Sequence, residues 1–178
     1  MKKKFTAIGL SLFATLSLAW QNAVQAHDGQ INITGTIQSN TCIVDTDSQN
    51  MIIDMGNVAS KQFYQAGATA AVQSFVIKLV KCGDAATAVS VTFNGTVDGR
   101  DNRLLAIDKG NAAATGMGIA ILDLNRQIVP LNTQSINYPL TPGAQSVNLG
   151  FFAEYMANGD TVKAGDANAT ATFLLNYA

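Results

Sequence analysis

Histidine and cysteine are nearly missing from this sequence: His27 stands alone, and Cys42 and Cys82 are the whole thiol complement of 178 residues. That scarcity removes whole classes of chemistry. Ser-His-Asp and Cys-His catalysis need a histidine beside the nucleophile, and zinc sites need several His or Cys ligands. A copper site built on His27 would need a second imidazole that the chain does not contain. Glutamate occurs once, as Glu154 on an alternating run, and the aspartates fall mostly in turn-like stretches, so no carboxylate pair for glycoside hydrolysis can be named. Asp45–Asn50 opens like a calcium loop, but Asn50 stands where the turn glycine belongs and Gly56 where the bidentate glutamate belongs, which leaves a surface turn. No catalytic residue, metal site or cofactor is expected.

Basic charge is also thin. Of 11 Lys and Arg, three sit together as Lys2-Lys3-Lys4, and the remaining 8 are scattered against 12 acidic residues, which is no footprint for nucleic acid. Those three lysines head an uncharged, largely apolar run from Phe5 to Trp20, and Val24-Gln25-Ala26 follows with small residues at the positions a signal peptidase reads. A secretory signal over residues 1–26, cleaved after Ala26, is predicted; the run is short for a membrane-spanning helix of about 20 residues. The only tryptophan, Trp20, would leave with it, and with it a tryptophan-based carbohydrate platform. In an exported chain the two cysteines read as one disulfide, the other reading being two buried free thiols.

What remains is a succession of short strand-like runs. Gln30 to Gln38 alternates strictly, with Ile31, Ile33, Gly35 and Ile37 on one face and Asn32, Thr34, Thr36 and Gln38 on the other. Further strands are predicted over Met51–Met55, Ser74–Lys81, Val89–Val97, Leu104–Ile107, Met117–Leu124, Ile128–Leu131, Val147–Met156 and Ala169–Tyr177, with Phe93, Phe151 and Phe152 in the core. Many short half-buried strands separated by turn residues indicate one all-β sandwich domain and no helix after the leader. The Ala-rich stretches Ala66–Ala71 and Ala112–Ala114 are interrupted by glycine and threonine and read as loops. The last strand is strongly apolar on one face and the sequence stops one residue after Tyr177. A sandwich ending this way leaves an uncovered edge. A strand of matching pattern at the N-terminus would cover it on another copy, and a head-to-tail contact that does not close makes a filament.

The leader, the alternating stretch with Gly35 seven positions before Cys42, the Cys42/Cys82 pair, Gly165 as fourteenth residue from the end and the penultimate Tyr177 together resemble the subunits of chaperone–usher pili, over essentially the whole exported chain. The resemblance is strongest to the small type 1 pilins, in particular the adaptor of the tip fibrillum, through Lys61-Gln62-Phe63, Leu104-Leu105-Ala106, Pro130-Leu131-Asn132, Leu140-Thr141-Pro142-Gly143 and Ala169–Phe173. It implies an incomplete immunoglobulin-like β-sandwich lacking its last strand, over residues 41–178, with an N-terminal donor strand over 27–40. It also implies an acceptor edge of Gly165, Ala169, Ala171, Phe173, Leu175 and Tyr177, covered first by a periplasmic chaperone and then, at an outer-membrane usher, by a neighbouring subunit's donor strand. The resulting function is a structural subunit of a surface fimbria, a tip adaptor with a shaft pilin as the alternative. The competing reading from another class is a self-contained secreted binding module that uses its first strand internally.

Overall fold

The computed structural model describes residues 32–178, so the expected leader and Ile31 lie outside the described residues. Asn32–Thr36 belong to one unit of the chain, and Ile37–Ala178 form the other. Asn32–Cys42 carries no regular secondary structure.

The second unit is built from β1 (Ile43–Val44), a one-turn helix α1 (Thr46–Gln49), a 3-10 turn (Ser60–Gln62), β2 (Thr69–Val80), β3 (Ala88–Gly95), β4 (Leu105–Ala106), β5 (Met117–Leu122), β6 (Tyr138–Pro139), β7 (Ser146–Ala157) and β8 (Ala171–Tyr177). One sheet runs β1-β2-β7-β5-β4 and the other β6-β3-β8, and the pairings between these strands are antiparallel. The period-two pattern is the cause: β2 turns Ile77 and Leu79 into the core and leaves Val76 and Lys78 outside, while β3 buries Val89, Val91 and Phe93.

An aromatic cluster joins the sheets. Phe75 and Phe151 are direct cross-strand partners with ring centroids 5.7 Å apart, and Phe93 of the other sheet stands edge-on to Phe151 at 5.0 Å. Tyr138 lies 5.5 Å from Phe151, and its hydroxyl donates to the Gly150 carbonyl at 2.9 Å, a direct bond from one sheet to the other. Cys42 and Cys82 form a disulfide.

Several elements depart from expectation. Asp45 caps α1 by accepting the Asp47 N–H, so the expected surface turn closes into one helical turn. The stretch read as a loop through Ala71 enters β2 at Thr69, with a bulge between Ala70 and Gln73 where Ala71 takes φ of 57°. Ile128–Leu131 forms no strand; it is held to β5 by a single bridge from Ile128 to Leu122. Ile128 joins Leu104, Ala120, Leu122 and Met156 in a second apolar layer while Val129 and Leu131 are buried in the main core, and Phe152 lies in that second layer beneath Arg126, whose guanidinium sits 3.6 Å from the ring centroid. Coverage on both faces explains why all six residues of β5 are buried.

Candidate functional site

Sheet β6-β3-β8 ends at β8, which among the described residues pairs on one side only, with β3. The register places Phe173 beside Phe93, Leu175 beside Val91 and Tyr177 beside Val89. Each pair shares a face and the same apolar interior, yet burial differs sharply. Val89 and Val91 are fully buried and Phe93 is 4% exposed, whereas Phe173, Leu175 and Tyr177 pack on the core only half-covered. Since chemistry and face are alike, the difference comes from neighbours: β3 has a strand on each side and β8 does not.

Met51–Met55, a stretch the sequence marks as a strand, packs on the same core. Its side chains alternate as expected, with Met51 and Ile53 half-buried, Met55 buried and Ile52 98% exposed, but the stretch pairs with no strand among the described residues.

Each end of the β8 edge is tied to residues earlier in the chain. At one, the Tyr177 hydroxyl donates to the Cys42 carbonyl at 3.2 Å, and burial pushes its phenol up from the ordinary tyrosine value. At the other, residues 56–58 and 165–168 line one open cavity of about 280 Å³ floored by Phe63, Met117 and Tyr155. This end is rigid. Ala114 N–H donates to the Asp166 carbonyl at 2.8 Å, Asp166 N–H donates to Ala112 at 2.7 Å, and the Tyr155 hydroxyl donates to Ala167 at 2.8 Å. Gly165 sits in this clamp, six residues before β8 begins: a β-carbon there would strike the backbone of Ala112–Ala114, so only glycine allows the approach. Ala169 also precedes β8, half-buried on the core, and Ala171 opens the strand exposed.

The β8 edge therefore presents half-buried apolar side chains at alternate positions beside backbone that has no ladder partner among the described residues. It suits an extended peptide with an apolar side chain at every second residue. Of the residues singled out by alternation at the N-terminus, Ile33 is 92% exposed, Ile37 is fully exposed and Gly35 has open space around it. The half-buried set of Met51, Ile53 and Val58 is the part of the site that sequence reasoning misses. The alternation of Met51–Met55 is visible, but alternation cannot say whether a strand has a neighbour.

Comparison with known proteins agrees with this architecture. The sequence profile of the fimbrial protein family matches residues 31–178. The uncharacterized fimbrial-like protein YcbV of Escherichia coli (strain K12) is 40% identical over 162 residues, covering 91% of this chain and 93% of the relative. Long polar fimbria protein A of Salmonella typhimurium (strain LT2) is 38% identical over 178 residues, covering 99% and 97%. Among solved structures, a subunit from a chaperone–usher pilus superposes with a TM-score of 0.64 at 23% identity, covering 84% of this chain and 95% of that one, which shows the shared immunoglobulin-like sandwich. An open-edged all-β domain of this kind, matched over its whole described length, belongs to the fimbrial protein family, the structural, non-enzymatic subunits of bacterial surface fimbriae.

Proposed function

We propose that the chain polymerises by donor-strand exchange, receiving one strand beside β8 and donating its own N-terminal strand to the next subunit. The observation that carries the reading is the burial contrast between Phe173, Leu175 and Tyr177 and their register partners Phe93, Val91 and Val89. One added strand against β8 would bury the first three and satisfy the free edge of the ladder. On this reading Ile31, Ile33 and Ile37 fill successive apolar positions of a neighbour's groove and Gly35 a shallow one. Each isoleucine contributes roughly 1.5–3 kcal/mol, beside main-chain hydrogen bonds that give affinity without regard to sequence.

The acceptor edge comprises Ala169, Ala171, Phe173, Leu175 and Tyr177, with Gly165 holding the clamped end. An edge this apolar is aggregation-prone when bare, which supports a periplasmic chaperone lending a strand before an outer-membrane usher exchanges it, following export on a leader over residues 1–26. Within the fimbria the proposed place is a minor or tip adaptor, supported by the likeness of Lys61–Phe63, Leu104–Ala106, Pro130–Asn132, Leu140–Gly143 and Ala169–Phe173 to a tip-fibrillum adaptor; a shaft pilin would use the same groove.

The test compares His27–Ala178, refolded with its disulfide, with a form starting at Thr41. Donor-strand exchange predicts concentration-dependent oligomers from the first, and from the second a weakly stable monomer rescued by a peptide spanning Gln30–Gln38. A stable full-length monomer, with no peptide rescue of the shorter form, would assign the strand to its own domain. Immunogold counting of the subunit along isolated fimbriae decides the position: a few copies at the tip support the adaptor, and label along the shaft refutes it.

A further inference from the structure

The three residues ahead of the disulfide are fastened to the domain. Gly83 N–H donates to the Thr41 carbonyl at 2.9 Å, and Ala85 N–H donates to the Ser39 carbonyl at 3.0 Å. A β-carbon on Gly83 would run into the Ser39 carbonyl and hydroxyl, so the tract lies directly on the glycine. The seat beneath is itself tied to the rest of the domain. Cys82 is held by the disulfide and donates its N–H to Ala144 at 3.0 Å, while the Gly83 carbonyl accepts from Ala86 at 3.2 Å and Gly143 at 3.3 Å. A methyl group added at Gly83 must therefore move the Ser39–Thr41 tract and not its seat.

We infer that Ser39–Thr41 on Gly83–Ala85 is a clamped joint between successive subunits, with Gly83 the positioning residue that sets where the donor strand leaves its own domain. The inference rests on the donor-strand reading of residues 31–37. Between Ile37, the last apolar donor residue, and Ser39, the first clamped one, stands Gln38 alone, and one extended residue spans about 3.6 Å at most. A donor strand seated to Ile37 thus brings the two domains together with no free linker, and the fibre is stiff at each joint because both ends of the connection are fixed.

The experiment uses homopolymers that the refolded, disulfide-bonded full chain His27–Ala178 forms with itself, so that every joint carries the substitution. Three chains are compared: wild type, Gly83→Ala, and an insertion of Gly-Ser-Gly after Gln38 that leaves the clamp untouched while freeing the connection. Bending persistence length from electron micrographs should fall about twofold or more in both variants, as flexible residues replace a fixed joint. Hydrogen exchange on the fibres should show the Ala85 amide protected in wild type and in the insertion chain but exposed in Gly83→Ala. Should Gly83→Ala fail to refold, the insertion chain decides alone. Variant fibres as stiff as wild type, or an Ala85 amide equally protected in Gly83→Ala, overturn the clamp while leaving donor-strand exchange standing. Absence of fibres from the wild-type chain overturns both.

Discussion

Tyr138 ties the two sheets through a single buried phenol, and its removal should make the protein weaker at neutral pH and stronger in alkali. The hydroxyl donates to Gly150 across the sandwich and the residue is 6% exposed. Burial, reinforced by the charge of Asp123, pushes its pKa from 10.0 up to about 12. At neutral pH, Tyr138→Phe loses one buried hydrogen bond and leaves the Gly150 carbonyl with less satisfaction, a cost of about 1 kcal/mol. In alkali the sign reverses. The folded-state value lies above the unfolded one, so the unfolded chain releases the proton first; the stabilisation is complete below pH 10 and is lost as pH rises toward 12. Each pH unit in that window removes about 1.4 kcal/mol, so wild type should forfeit its advantage at about pH 10.7 and trail Tyr138→Phe thereafter, by about 1 kcal/mol at about pH 11.5. Urea unfolding of both disulfide-bonded proteins from pH 8 to 11.5 reads the difference directly, because Tyr155 and Tyr177, whose phenols burial also raises, contribute equally to both. Curves that stay parallel through this range would refute the claim that the inter-sheet phenol titrates as a buried group.

Replacing Ile37 by alanine should weaken subunit association roughly ten- to a hundredfold, the equivalent of about 1.5–3 kcal/mol of aliphatic burial, since Ile37 is fully exposed on its own chain and would be buried only in a neighbour; competition between wild-type and variant Gln30–Gln38 peptides for the shorter form measures it. Joint replacement of Cys42 and Cys82 by serine opens a loop with a sequence separation of 40 and should cost about 4 kcal/mol in denaturant unfolding, with the Ser39–Thr41 tract losing protection as its seat loosens.

Much of this protein is written locally. The alternation of β2, β3, β7 and β8 follows from each strand having one face on the core, and such a pattern can be read from side-chain chemistry alone. So can the presence of two alternating segments at opposite ends of the chain, and the cysteine pair. Where both faces of a strand are covered the pattern blurs, as in β5, and where a loop supplies the covering, as Ile128–Leu131 does, strand-like composition is put to another use. Met51–Met55 carries the same alternation as β3, yet only tertiary structure decides that one has ladders on both sides and the other, among the described residues, has none. Gly165 and Gly83 are glycines for reasons that lie 51 to 53 and 44 residues away in sequence, in the backbones of Ala112–Ala114 and Ser39. Periodicity is a property of a strand and its own face. An open edge and a close approach between backbones are properties of pairs of segments, and the folded arrangement alone brings those pairs together.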